Sequence, residues 1–304
     1  MTEKVDQKTF SARGFGENLP VEVRHEVYPT IDPTPVYASQ SLKGKALFIT
    51  GASRGIGRTT AIAFAKAGAS VAISARSSSA LDETKALILR DVPEAKVEKY
   101  VVDVTKAEEV EDAVERAAIA FGRLDVAIAN AGYINPFDTP MQERKSSDWW
   151  RTFEINLLGV FNTVRPALKH LQKVDGYVVA ITSVGAQFRS PNGSDYQTSK
   201  HALNRLVELI ALENAPVKAF SLHPGAVATE IATTSGIEAQ GVQFIDPPEL
   251  PAATMLYLCT GKADWLNGRY VSVNWDLGQV EAEWKEKILE KDLLVNKLDV
   301  VGSV

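Results

Sequence analysis

The chain has 304 residues, 45% hydrophobic and 23% charged, so it can bury a substantial core as one large domain or two smaller ones. Its formal net charge of −5, with no basic block, excludes an electrostatic footprint for nucleic acid or anionic lipid. No stretch offers the roughly 18 uncharged apolar residues of a membrane span, and the opening MTEKVDQKTF lacks the apolar core of a signal peptide, so a soluble, cytoplasmic protein is expected.

Residues 1–43 show no sustained periodicity and contain Pro20, Pro29, Pro33 and Pro35, which reads as an extended arm that either wraps the domain or is disordered. From Lys45 the pattern changes. A strand over 46–50 enters a glycine turn and a helix over 57–66, followed by a strand over 70–75 and a helix over 79–90. Strands over 97–102 and 126–129 flank a helix over 106–121, and a long helical pattern over 148–171 leads to a strand over 177–182. A helix over 195–213, a strand over 217–222, a helix over 250–259 and a strand over 270–273 complete the alternation. Cys259, alone in the apolar run ATMLYLCTG, reads as a buried and inert thiol, and the four scattered histidines have no metal-ligand spacing, so no metal is expected. A last helix over 281–294 joins Trp284 to Ile288 on one face, extended by Leu289 and Leu293, with Glu283 and Lys287 as a surface pair.

Short apolar strands alternating with amphipathic helices specify a parallel sheet covered on both faces. Right-handed crossovers make this an α/β doubly wound, Rossmann-type three-layer sandwich, a single domain over 44–278 between the arm and a helical tail over 279–304. Ligands bind beyond the carboxyl ends of such strands. Thr50, Asp103, Ala129, Ser183 and His223 all fall there.

The run TGASRGIG from Thr50 to Gly57 lies between a strand and a helix. Gly51 permits a tight turn, Gly55 lets the backbone approach a diphosphate, and Gly57 allows close helix–sheet contact. The unpaired N–H groups of the helix start would meet the diphosphate charge. An NAD-binding chain would place an acid at the end of the second strand for the ribose hydroxyls. Here Ala75 and Arg76 stand there, with Arg54 as a second cation, so NADP(H) is expected over NAD(H). Asp103 either bonds the adenine amino group or caps the next helix, with Thr105 competing for that cap.

Tyr196 and Lys200, four apart in the segment ITSVGAQFRSPNGSDYQTSK, share a helix face, and Ser183 arrives from the preceding strand. A free tyrosine titrates near 10, so proton transfer near neutrality demands about 4 kcal/mol of preferential phenolate stabilisation. The Lys200 charge contributes to that, and Ser183 holds the substrate oxygen against the phenol. Asn156, interrupting the apolar segment FEINLLGVF, either holds a water connecting Lys200 to solvent or is a satisfied structural amide. The reaction class indicated is hydride transfer at a carbonyl or alcohol carbon.

These residues closely resemble the short-chain dehydrogenase/reductase family in its classical subfamily, over roughly residues 42–276. The glycine motif is matched by Thr50, Gly51, Gly55 and Gly57, the cofactor-lining Asn-Ala-Gly by Asn130, Ala131 and Gly132, and the catalytic tetrad by Asn156, Ser183, Tyr196 and Lys200. The resemblance implies that Ser53, Ile56, Asp103, Val104, Pro224, Gly225, Val227 and Thr229 also line the cofactor, and that Ala75–Arg76 follows the NADP-preferring pattern. It implies reduction of a ketone or aldehyde, or oxidation of a secondary alcohol. A homodimer or homotetramer pairing through the helices near 148–171 and 195–213 is implied as well. Departures are His223, where the family often has asparagine and where backbone support is expected, and the ending SVNWD, where Trp275 could alter the pocket or a subunit contact. Gln187, Phe188 and Asn192, between Ser183 and Tyr196, are the substrate candidates, with Tyr133 nearby. Arg189 leaves room for one anionic substituent, and residues 230–246 form a segment able to close over the site, with hinges at Gly236 and Gly241.

Overall fold

Strand β1 (Ala46–Thr50) is buried at every residue, as a strand with helices on both faces must be. Leu47 and Ile49 enter one apolar core and Phe48 the other, following the two-residue period of a strand. The computed structural model describes Gly14 and residues 17–298. Its sheet adds β2 (Ser70–Ala75), β3 (Val97–Val101), β4 (Val126–Ala129), β5 (Tyr177–Ile181), β6 (Lys218–His223) and β7 (Tyr270–Ser272). The order is β3-β2-β1-β4-β5-β6-β7, with every neighbouring pair parallel. This is the expected doubly wound α/β sandwich in a single domain. β1 pairs with both β2 and β4, so the winding reverses there and a crevice opens beyond their carboxyl ends.

Helices Gly55–Lys66, Ser78–Asp91 and Glu249–Leu258 bury Phe64, Leu81, Ile88 and Leu256 in one core. Helices Ala107–Phe121, Gly159–Leu171 and Ser194–Glu213 bury Val110, Val164 and Val207 in the other. β6 runs one residue past its expected end because His223 pairs with Ser272. The helix expected over 148–171 begins at Ser146 and widens into a π turn over Glu154–Leu158, which carries the buried Asn156. An inserted turn of this kind re-aims side chains within a helix and is frequent at functional sites.

Of the two readings of the arm, residues 17–43 wrap the domain, while residues 1–13 and 15–16 lie outside the described residues. Tyr28, Ile31 and Leu42 are buried in the first core. A turn at Pro29–Ile31 and a short helix at Thr34–Ser39 replace the expected extended chain, with proline in the first turn of each, where its missing N–H leaves no intrahelical bond unmade. Trp275 is the anchor. It bridges Val23, accepts the Tyr28 hydroxyl at 2.8 Å on its carbonyl, and donates its indole N–H to Asn18.

The tail departs from expectation. Asp276 caps Leu277–Gln279, a π turn follows over Val280–Trp284, and the helix Lys285–Glu290 ends four residues before 294. Asp292 and Leu294 take positive φ, and the Leu294 carbonyl turns back to accept the Tyr270 N–H at 2.9 Å. Ile288 is buried as anticipated, but Glu283 bonds Gln279 and Lys287 sits 4.4 Å above the Trp284 ring. Residues 299–304 lie outside the described residues. Among the described residues no helix is long and apolar enough to cross a membrane.

Candidate active site

β1 delivers the chain into the turn at Gly51, where φ is +67°, and Gly55 follows at +53°, both in the region glycine tolerates. A Cβ added to Gly57 would lie 2.4 Å from the Gly51 carbonyl oxygen, so only glycine closes this turn. Helix Gly55–Lys66 has no side-chain cap, leaving its first N–H groups to a ligand. Thr50 Oγ1 accepts the N–H groups of Asn130 and Ala131 at 3.1 and 3.2 Å. Asn130 Nδ2 in return donates to the carbonyls of Thr50 and Gly51 at 2.9 and 3.1 Å. The turns after β1 and β4 are thereby laced together at the switch point.

A cleft of about 840 Å³ opens above them. Gly51, Ser53, Arg54, Gly55, Ile56, Gly57, Arg76, Asp103, Val104, Asn130, Ala131, Gly132, Pro224, Gly225, Val227 and Thr229 all line it. Its size matches a ligand site, and the uncapped helix start beside a glycine turn fits the diphosphate of a nicotinamide dinucleotide.

The end of β2 differs from the reading of two phosphate-seeking cations. Arg54 is committed to an ion pair with Glu230, and Arg76 is exposed. Asp103 Oδ1 accepts the N–H and hydroxyl of Thr105 at 2.9 and 2.8 Å, making a local turn, while Lys106 is the residue at the helix cap. Partial burial opposes ionisation of Asp103, but the Thr105 bonds and the charges of Arg151 and Arg76 outweigh it and hold the carboxyl below its usual range.

Tyr196 and Lys200 lie one turn apart on helix Ser194–Glu213, with Lys200 Nζ 5.8 Å from the phenol ring centroid. Ser183, just past β5, lies beside Tyr196, since a Cβ added to Gly185 would be 3.2 Å from Ser183 Oγ and 3.4 Å from the Tyr196 ring, and Ser183 Oγ accepts the Gly185 N–H at 3.0 Å. Lys200 Nζ donates to the Ile181 carbonyl at 2.7 Å. Burial pushes the Lys200 ammonium down to about 7. Burial also raises the Tyr196 phenol, against the lowering effect of the neighbouring Ser183 hydroxyl.

Asn156 is satisfied within the protein. Its Oδ1 accepts the Tyr133 N–H at 2.8 Å, and its Nδ2 donates to the Tyr133 carbonyl at 2.9 Å and Ser199 Oγ at 3.2 Å. It stands behind the cleft wall and fixes Tyr133. A Cβ added to Gly132 would lie 3.5 Å from Asn156 Oδ1 and 3.9 Å from Lys200 Nζ. Sequence reasoning missed a second clamp. Asn135 Nδ2 and Thr152 Oγ1 both donate to the buried Asp195 carboxylate, at 2.6 and 2.7 Å, pinning the residue before Tyr196. The Phe137 ring meets the Tyr196 ring edge-on at 6.3 Å.

Among the substrate candidates, Phe188 lines the cleft with Ser183 and Tyr196, whereas Gln187 and Asn192 are not in its wall. Asn192 donates to the Phe137 carbonyl at 3.2 Å, and Arg189 pairs with Glu17 of the arm. Residues 230–246 border the opening, joined to the opposite wall by the Phe137 N–H donating to the Ser235 carbonyl at 3.0 Å. The structure adds Ile134, Val184, Phe244 and Ile245 to the wall, together with His25, Asp246 and Asn274. No local motif marks those last three, because the arm and β7 meet only in the fold. His223, expected to support backbone, has its Nδ1 buried without a hydrogen-bond partner among the described residues.

Residues 45–239 match the family described as short chain dehydrogenase. The chain belongs to this family. The short chain dehydrogenase mpl6 of Monascus purpureus is 41% identical over 286 residues, which span 91% of this chain and 95% of the relative. A solved 7α-hydroxysteroid dehydrogenase, complexed with NADH and 7-oxo glycochenodeoxycholic acid, is 28% identical with a TM-score of 0.69. It covers 78% of this chain and 96% of its own. A solved NAD+-bound xylitol dehydrogenase is 26% identical with a TM-score of 0.68, over 76% of this chain and 98% of its own. This short-chain dehydrogenase is thus an NAD(P)-dependent oxidoreductase acting on carbonyl or alcohol groups. The expected preference for NADP(H) is overturned, since these neighbours carry NADH and NAD+. In the structure Arg54 faces Glu230 in an ion pair between half-exposed side chains, which competes with a phosphate for its guanidinium.

Proposed function

We propose that this short-chain dehydrogenase reduces a ketone or aldehyde to the alcohol, reversibly, using NAD(H). The observation that carries the reading is that Ser183, Tyr196 and Lys200 line one cleft with the glycine turn, Lys200 Nζ lying 5.8 Å from the phenol ring centroid. The cofactor assignment follows the NADH and NAD+ of the solved relatives. When bound, the nicotinamide supplies the hydride for the carbonyl carbon.

Ser183 Oγ holds the carbonyl oxygen, and Tyr196 gives its proton to that oxygen as negative charge develops there. A donor so placed contributes typically 10²–10⁴-fold. Lys200 favours the phenolate left behind and is itself fixed by the Ile181 carbonyl. Asn156 holds the Tyr133 backbone, which keeps Gly132 open beside Lys200. Phe137 excludes water from one edge of the phenol. Run backwards, Tyr196 accepts the proton of a secondary alcohol. In this reading residues 44–278 are the catalytic body, 1–43 the arm and 279–304 the tail. The half-exposed Trp150, Leu158 and Phe161 support pairing of two copies through residues 146–171, which light scattering would report as a dimer or tetramer.

The test is consumption of NADH across a panel of ketones and aldehydes. Turnover of at least one class supports the proposal. Tight NADH binding with no turnover on any of them contradicts it and favours a nucleotide-binding protein without catalysis.

A further inference from the structure

Asp246 is the centre of a polar cluster that the proton-transfer chemistry does not use. Its carboxylate is 2% exposed and is held from three segments. Oδ2 accepts the Ala226 N–H at 2.6 Å and Asn274 Nδ2 at 3.1 Å, while Oδ1 meets His25 Nδ1 at 2.7 Å. A Cβ added to Gly225 would lie 2.5 Å from Oδ2, so the carboxylate has no room to move that way.

His25 belongs to the N-terminal arm, and its neighbours on the arm are fixed. The Arg24 N–H donates to the Asn274 carbonyl at 2.8 Å, and the Arg24 guanidinium binds Asp276 at 2.6 Å. Gly14 of the arm packs against residue 187, where a Cβ on Gly14 would lie 2.2 Å from the Gln187 carbonyl oxygen. The His25 side chain nevertheless remains 46% exposed and lines the same cleft as Tyr196. A carboxylate only accepts, so the His25 nitrogen facing it carries the proton, which leaves Nε2 as the ring nitrogen open to a ligand. His223, at the end of β6, lines the cleft too and keeps its Nδ1 buried without a partner among the described residues. A buried polar atom left unmatched is destabilising until a ligand meets it.

We infer that His25 and His223 form a polar subsite of the substrate pocket, and that the substrate is a carbonyl compound bearing a hydroxyl group remote from the reacting carbon across an apolar, aromatic-sized body. The inference rests on the ketone-reduction reading above. The group met by His25 is a hydroxyl, which both donates and accepts and so matches Nε2 in either form of the ring. It is uncharged, because the Asp246 carboxylate repels an anion. The spacing follows from the sheet. Ser183 stands at the end of β5, His223 at the end of β6, and Asn274, which bonds the arm, just past β7. With neighbouring strands about 4.8 Å apart, the two ends of the substrate lie about 10 Å apart. Phe137, Phe188 and Phe244 supply the apolar wall.

The probes are para-acetylbiphenyl and its para′-hydroxy derivative, whose hydroxyl lies about 10 Å from the carbonyl carbon, the separation that the strand spacing gives. With NAD+ bound, no reduction occurs, and calorimetry gives both affinities for the full chain. The hydroxylated ketone is expected to bind about five- to tenfold tighter, the effect of one well-made hydrogen bond. His25→Asn keeps a donor for Asp246 but lacks the cleft-facing nitrogen. It should abolish the preference while leaving thermal stability and the affinity for the unsubstituted ketone unchanged. His25→Gln, whose longer amide reaches toward the Nε2 position, should recover part of the preference. Equal binding of the two ketones by the native chain overturns the subsite, as does full preference retained in His25→Asn. An equal loss for both ketones in His25→Asn also overturns it and leaves His25 as an anchor of the arm. If no member of the ketone and aldehyde panel is reduced with NADH while the hydroxyl preference stands, the reaction assignment falls and the subsite survives.

Discussion

Replacing Lys200 with methionine should stabilise the fold near neutral pH while destroying the proton-transfer site. Lys200 is 4% exposed, and burial pushes its ammonium from 10.5 down to about 7. The unfolded chain therefore binds more protons between those two values, and stability rises with pH through that window. Below pH 7 the whole penalty is present; above about 10.5 it has vanished. At 1.36 kcal/mol per pH unit the gap amounts to about 5 kcal/mol, of which about 4 remains at pH 7. Methionine fills a similar volume without charge, but it leaves the Ile181 carbonyl without its donor, at about 1–3 kcal/mol. Lys200→Met should thus be about 2 kcal/mol more stable than the native chain at pH 7 and slightly less stable at pH 10. Urea denaturation of both proteins at the two pH values reads this directly, because other titrating groups cancel in the difference. The advantage of the variant should shrink by about 3 kcal/mol between pH 7 and 10. A difference independent of pH would refute the claim that a charged, desolvated lysine is held at this site.

Other consequences are as specific. Gly57→Ala places a Cβ 2.4 Å from the Gly51 carbonyl oxygen, and overpacking of this kind typically costs about 1–3 kcal/mol, so fluorescence titration should show NADH affinity falling about fivefold or more. Tyr28→Phe removes a buried hydroxyl that donates to the Trp275 carbonyl at 2.8 Å and accepts the Leu277 N–H at 3.1 Å. It should cost about 1–3 kcal/mol in urea denaturation, releasing the arm from the tail. Cys259 is fully buried and its thiol is pushed up by that burial, so a thiol reagent should label it only as fast as the chain unfolds. Labelling faster than unfolding would show an opening of helix Glu249–Leu258.

The sheet was legible because each strand is a short apolar run whose neighbours alternate with amphipathic helices, and that local pattern survives any detail of packing. The meeting of Ser183, Tyr196 and Lys200 at one cleft could be read the same way, since Tyr196 and Lys200 share a helix turn and Ser183 sits at a strand end. Electrostatics was less legible. The sequence pairs Lys200 with Tyr196 but does not show that both are buried, and burial acts against the charged form of each. Arg54 reads as a phosphate ligand because Glu230, more than 170 positions away, cannot be seen to pair with it until the loop after β6 folds back against the glycine turn. The arm was the least legible part. Its contacts to Asp246, Trp275 and Asp276 span more than 220 positions and follow no periodic pattern. The same contacts explain the SVNWD ending of β7, where Trp275 and Asp276 serve as the arm's anchorage.

The central claim is that the Tyr196 hydroxyl delivers the proton to the carbonyl oxygen. Tyr196→Phe keeps the ring that packs against Phe137 and removes only that hydroxyl. Steady-state reduction of a ketone substrate with NADH, measured beside the Kd for NADH, should show kcat falling by about 10²–10⁴-fold with the Kd within a few fold of the native value. A Tyr196→Phe enzyme that turns over as fast as the native one would contradict the account.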